Sequence, residues 1–78
     1  MRVRIERTWV TTPTGTRVVS HKPDYTVVEA DSFSKAILDF IVRDGARLLG
    51  TITEKEDKAV ATAWKNRVYL LCAQAAPD

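Results

Sequence analysis

The stretch from Asp31 to Gly45, DSFSKAILDFIVRDG, constrains the fold of this chain more than any other part of it. Phe33, Ala36, Ile37, Phe40 and Ile41 recur at helical spacing and draw one continuous apolar stripe. Asp31 or Ser32 can cap the N-terminus, because a short side-chain oxygen accepts an amide proton that the first turn leaves unpaired. Gly45 stands where a left-handed stop is expected, just after Arg43 and Asp44. The spacing predicts a helix over about 32–44, with Phe33, Ile37, Phe40 and Ile41 buried against one face of a sheet.

The flanking sequence supplies that sheet. Val3, Ile5 and Trp9 alternate with Arg2, Arg4, Glu6 and Thr8, the period-two signal of a half-buried strand. Pro13 and Gly15 in TTPTGT mark a tight turn, and TRVVS returns from it. Pro23 then interrupts an extended pattern that resumes through YTVVEA, so residues 16–20 and 25–30 read as one bent strand or as two. After the helix, ARLLGTIT is a strand region with Gly50 as a bulge candidate, and EKED is an acidic turn. KAVATAW and RVYLLCAQ are two more strands, joined by Lys65-Asn66, where asparagine tolerates the left-handed torsion of a tight hairpin. AAPD reads as a frayed tail. The predicted fold is a single α+β domain, order ββαβββ, an antiparallel sheet with one α-helix on one face.

With 78 residues there is room for one core, and a core of that size leaves roughly 3–5 kcal/mol of margin. Cys72 and His21 are each alone of their kind, so neither a disulfide nor a Cys/His metal set can form within the chain. Oligomerisation is the remaining way to add stability. Cys72, inside VYLLCA, reads as a small buried hydrophobe in a reducing compartment. MRVRIERTW lacks the apolar core of a signal peptide, and no apolar run approaches the length of a membrane span. The expectation is a cytoplasmic protein.

Catalysis has few residues to draw on. A nucleophile needs a base within hydrogen-bond reach, and His21 lies in the polar segment SHKPD. Ser32 is better explained as a cap and Ser34 as a first-turn residue, while Glu54 and Glu56 belong to a charged turn. The three glycines form no phosphate-binding loop. The residues therefore predict no enzyme, no cofactor and no metal.

Charge is unevenly distributed. Residues 1–23 carry Arg2, Arg4, Arg7, Arg17 and Lys22 against Glu6 alone, and residues 58–78 carry Lys58, Lys65 and Arg67 against Asp78 alone. Between them, eight acidic residues face four basic ones. Such asymmetry steers a charged partner to one side. It nominates Arg2, Arg4, Trp64, Lys65 and Arg67 as partner-binding residues, expected to converge if the first and last strands lie side by side. A second candidate surface is the helical pair Leu38 and Val42, which lies off the core stripe. That pair either packs under a neighbouring loop or stays exposed as a contact patch. Trp9, Tyr25 and Tyr69 add amphipathic area of the kind enriched at binding surfaces.

From Val28 to Gln74 the chain resembles small phage-encoded anti-CRISPR proteins. The pattern is a strand ending in V-E-A, a D-S-F-S cap leading into a helix, then G-T-I-T and a closing hairpin; TTPTG lies outside it. The resemblance implies a non-catalytic protein that binds a CRISPR effector complex and excludes target DNA. That family shares no functional motif, so it assigns no binding residue. Two other readings stand beside it: a small nucleic-acid-binding module using the basic hairpins and aromatics, and a homodimeric assembly protein joined by a sheet edge or the Leu38/Val42 patch.

Overall fold

The computed structural model describes residues 1–11, 18–19 and 22–77, with backbone alone at Thr11, Val18 and Val19. The predicted turn at Pro13 and Gly15, and His21, lie outside the described residues. The strands are β1 (Arg2–Thr11), β2 (Val18–Val19), β3 (Asp24–Glu29), β4 (Arg47–Glu54), β5 (Lys58–Lys65) and β6 (Arg67–Ala75), with α1 (Phe33–Asp44) between β3 and β4. All pairings are antiparallel, in the order β2-β1-β6-β5-β4, and β3 pairs with the same edge of β1 as β2 does. β2 pairs with β1 as far as Val10 and β3 pairs with it from Arg7, so the two segments occupy one strand position on the same edge of β1. Counted that way, the chain is the predicted ββαβββ two-layer domain.

Both helix ends follow the sequence reading. The Lys35 N–H donates to Ser32 Oγ at 3.1 Å, which makes Ser32 the cap. Gly45 is left-handed at φ 69°, with its N–H on the Val42 carbonyl and the Ala46 N–H on that of Ile41, a Schellman closure.

Strand alternation and pairing define the two faces of the sheet. Val3, Ile5, Ala59, Ala61, Ala63, Tyr69, Leu71 and Ala73 lie under the helix and are buried with Ala36, Ile37 and Ile41. Phe33 and Phe40 are only partly buried at the margin, so the centre of the stripe is Ala36, Ile37 and Ile41 rather than the phenylalanines. Four of the helix-facing sheet positions are alanine, which lets the helix lie close to the strands.

Three local expectations are corrected. The register pairs Lys65 with Arg67, leaving Asn66 alone at φ 66° in the turn instead of a two-residue connection. β6 runs to Ala75, and the Ala76 N–H still donates to the Arg2 carbonyl, so the start of AAPD is not frayed. Cys72 points away from the helix and is half-buried, not a core residue. The bulge expected at Gly50 is present: pairing of β4 with β5 shifts between Leu49 and Thr53, and Gly50 has φ 77°. Among the described residues no helix is long and apolar enough to cross a membrane.

Candidate functional site

The face of the sheet opposite α1 has no layer over it among the described residues. It is formed by Arg4, Glu6, Thr8 and the buried Val10 of β1, Val68, Leu70, Cys72 and Gln74 of β6, and Lys58, Val60, Thr62 and Trp64 of β5. Tyr25 and Val27 of β3 extend it on one side, and Arg47 and Leu49 of β4 on the other. Tyr25, Val27, Leu49 and Trp64 are among the exposed large hydrophobics of the chain. Val60, Val68, Leu70 and Cys72 form a half-buried apolar strip between them. Arg2, Arg4, Arg47 and Lys58 stand around this strip against Glu6 and Glu29. An apolar centre with a charged rim is the anatomy of a protein interface.

The sequence carries a signal for this face that its charge pattern hides. VYLLCA is apolar without alternation, and such a strand presents apolar side chains to both faces of its sheet. Among the described residues there is one helix, and it covers one of those faces.

The five nominated residues do not converge. β1 and β6 are neighbours as expected, but they are antiparallel, and Arg4 stands opposite Gln74. Arg67 is seven residues from Gln74 along β6, roughly 23 Å at about 3.3 Å per residue. Arg2, Arg4 and Trp64 belong to the helix-free face, at its two ends, whereas Lys65 and Arg67 alternate to the helix side. Arg4 is held over the Tyr25 ring at 5.2 Å. Leu38 and Val42 are exposed, so they do not pack under a neighbouring loop.

Lys65 and Arg67 instead join a cluster where the helix C-terminus meets β1 and β6. The buried Tyr69 donates its phenolic hydrogen to Asp44 Oδ2 at 2.8 Å. Asp44 also receives Arg7 at 3.6 Å and Lys65 at 3.4 Å, which offsets the unfavourable placement of a carboxylate at a helix C-terminus. Arg7 Nη2 donates to Asp24 Oδ2 at 2.8 Å, and that hydrogen bond holds the Asp24 carboxyl below its ordinary value. The Arg7 and Arg67 guanidinium groups lie over the Trp9 ring at 4.8 and 4.5 Å, and Trp9 meets Tyr69 edge-on at 5.0 Å. Arg7, Asp24, Asp44, Lys65 and Tyr69 each have a polar partner within the cluster, and Arg67 lies over the Trp9 ring, so it reads as a structural clasp.

Burial, with the Asp44 carboxylate beside it, pushes the Tyr69 phenol well above the usual tyrosine range. A folded-state pKa above the unfolded one gives stability that is complete below about pH 10 and is lost as pH rises from there towards the folded value. Tyr69→Phe is therefore expected to cost about 1–2 kcal/mol at neutral pH through the lost hydrogen bond, and to flatten the alkaline fall in stability. Urea unfolding at pH 7 and pH 11 checks both effects, and an unchanged alkaline limb in the variant would exclude Tyr69 as its source.

An open groove of about 480 Å³ runs between β3 and α1, lined by Thr26, Val28, Ala36 and Phe40 with Asp39 and Arg43 at its lip. Burial raises the Cys72 thiol above its ordinary value, which lowers its nucleophilicity at neutral pH. Among the described residues no three His, Cys, Asp or Glu side chains come together as a metal site would require. No family model matches the chain, and no curated protein or solved structure matches it either.

Proposed function

We propose that this is a small non-enzymatic binding protein that meets an acidic surface of a nucleic-acid-handling complex with the helix-free face of its sheet. In its most specific form the proposal is an anti-CRISPR-like inhibitor in the host cytoplasm, working by steric cover. The observation that carries it is the apolar strip from Trp64 to Cys72, flanked by Arg2, Arg4, Arg47 and Lys58. Five strand positions at about 4.8 Å spacing give a face roughly 20 Å across and 25 Å or more along the strands. That footprint, about 500 Å² or more, is well over half the ~800 Å² per partner of a standard interface. The half-buried valines and leucine favour a protein partner over a nucleic acid, because nucleic-acid interfaces are more polar and more positively charged.

Tagged protein incubated with host lysate is expected to retain a multi-subunit nucleic-acid-binding assembly in stoichiometric amounts. It is expected to show no oligonucleotide affinity with a steep salt slope. Tight, salt-sensitive binding of free DNA or RNA with no retained protein would overturn this reading in favour of the nucleic-acid module.

A further inference from the structure

We infer that β3 is a self-pairing edge, so that two copies of the chain join antiparallel through residues 25–29 and continue one sheet across the interface. The argument starts from which way the β3 main chain points. Met1 and Ala30 exchange both main-chain hydrogen bonds, the Met1 amine donating at 2.9 Å and the Ala30 N–H at 3.0 Å. In an antiparallel ladder the bonded and non-bonded pairs alternate. Val28, Thr26 and Asp24 therefore turn their N–H and C=O groups to β1, and Tyr25, Val27 and Glu29 turn theirs outward. The Ala76 bond to Arg2 confirms the parity, since even positions of β1 face β6. No other described strand pairs with the outward side of β3.

That edge also carries fewer of the devices that keep edges apart than β4 does. β4, at the opposite edge, is broken by the Gly50 bulge, whereas the register of β3 on β1 runs unbroken from Glu29 to Asp24. DYTVVE contains no proline and no lysine. Two of its six residues are valine and one is threonine, which favour extended pairing.

One register satisfies every outward group. With Val27 opposite Val27 of the second copy, Tyr25 falls opposite Glu29 and Glu29 opposite Tyr25, and all three residues exchange main-chain bonds. Sliding one way sets Glu29 against Pro23, which has no N–H. Sliding the other way sets Tyr25 against Asp31, beyond the strand. The chosen register is also matched in charge. It brings Glu29 of the second copy to the Tyr25 ring, over which the Arg4 guanidinium already lies at 5.2 Å. Both helices fall on the same side of the joined sheet.

The test is sedimentation equilibrium of the full chain from 1 µM to roughly 1 mM, the upper end being the weak limit of specific association. Wild type is expected to rise from 8.7 kDa towards twice that mass. Val27→Pro removes only an outward N–H, so it should keep the fold by circular dichroism and weaken the dimer about a hundredfold or more. Glu29→Lys and Arg4→Glu should each weaken it, and the double variant should recover most of the loss. Val42→Glu should leave it unchanged. A wild type that stays at 8.7 kDa throughout overturns the inference, including in favour of a foreign strand on β3. So does a dimer indifferent to Val27→Pro and to both charge changes, or one dissociated by Val42→Glu.

Discussion

Ile37→Ala is expected to bring the domain to the edge of unfolding in water, at a cost of about 3–5 kcal/mol. Ile37 is fully buried at the middle of the helix. Of the eight buried sheet positions in the same cluster, four are alanine (Ala59, Ala61, Ala63 and Ala73), beside Val3, Ile5, Tyr69 and Leu71. Alanine has no rotamer that reaches into a vacated volume, so the alanine half of this lining limits collapse and the loss is expected in the upper part of the range for isoleucine truncation. A single core in a chain of 78 residues has roughly the same margin to lose. Val42→Ala, on the outer face of the same helix at 71% exposure, should change stability by no more than about 0.5 kcal/mol. Urea unfolding of the two variants separates these cases, and an Ile37→Ala midpoint close to that of wild type would refute the packing described.

The second large effect concerns binding, and it divides between rates. Trp64 is 47% exposed at one end of the helix-free face, beside Leu49 and Val68. A large aromatic anchored in an apolar strip is the residue type whose truncation most often costs 2 kcal/mol or more, about thirtyfold in affinity. Trp64→Ala should therefore speed dissociation from the partner by about that factor. Arg2 and Arg4 lie at the rim near the far end, where long-range charge guides encounter. Reversing both to Glu should slow association about tenfold or more at low salt, and much less at high salt where the field is screened. Surface-immobilised kinetics at two ionic strengths reads both effects. Lys65 and Arg67 should contribute less, because Asp44 and the Trp9 ring already hold them.

The helix, its caps and the order of elements were legible because each rests on local spacing: the stripe from Phe33 to Ile41, the Ser32 hydroxyl and the glycine after Asp44. What was hidden depends on pairing. KAVATAWK alternates perfectly, yet alternation alone does not say which set turns inward. The helix takes the alanines, and the larger Val60 and Trp64 are left outside, a choice made by how close the helix must come. The convergence expected of Arg2, Arg4, Lys65 and Arg67 failed for a related reason. Adjacent strands were anticipated, but antiparallel direction carries the two ends of the basic set to opposite ends of the sheet. The clasp of Arg7, Asp24, Asp44 and Tyr69 joins residues up to 62 positions apart, a distance at which no spacing rule operates. The helix-free face was the most recoverable omission, since the unbroken apolar run of β6 asks for cover on both sides.

The central claim is that this face, and not the outer face of the helix, meets the partner. Its most direct measurement is retention of the partner assembly from host lysate by three tagged proteins: wild type, Trp64→Ala with Arg2 and Arg4 reversed to Glu, and Leu38→Glu with Val42→Glu. With all three shown folded by circular dichroism, the sheet variant is expected to lose the assembly and the helix variant to keep it. Loss by the helix variant with full retention by the sheet variant would contradict the account and place the contact on α1.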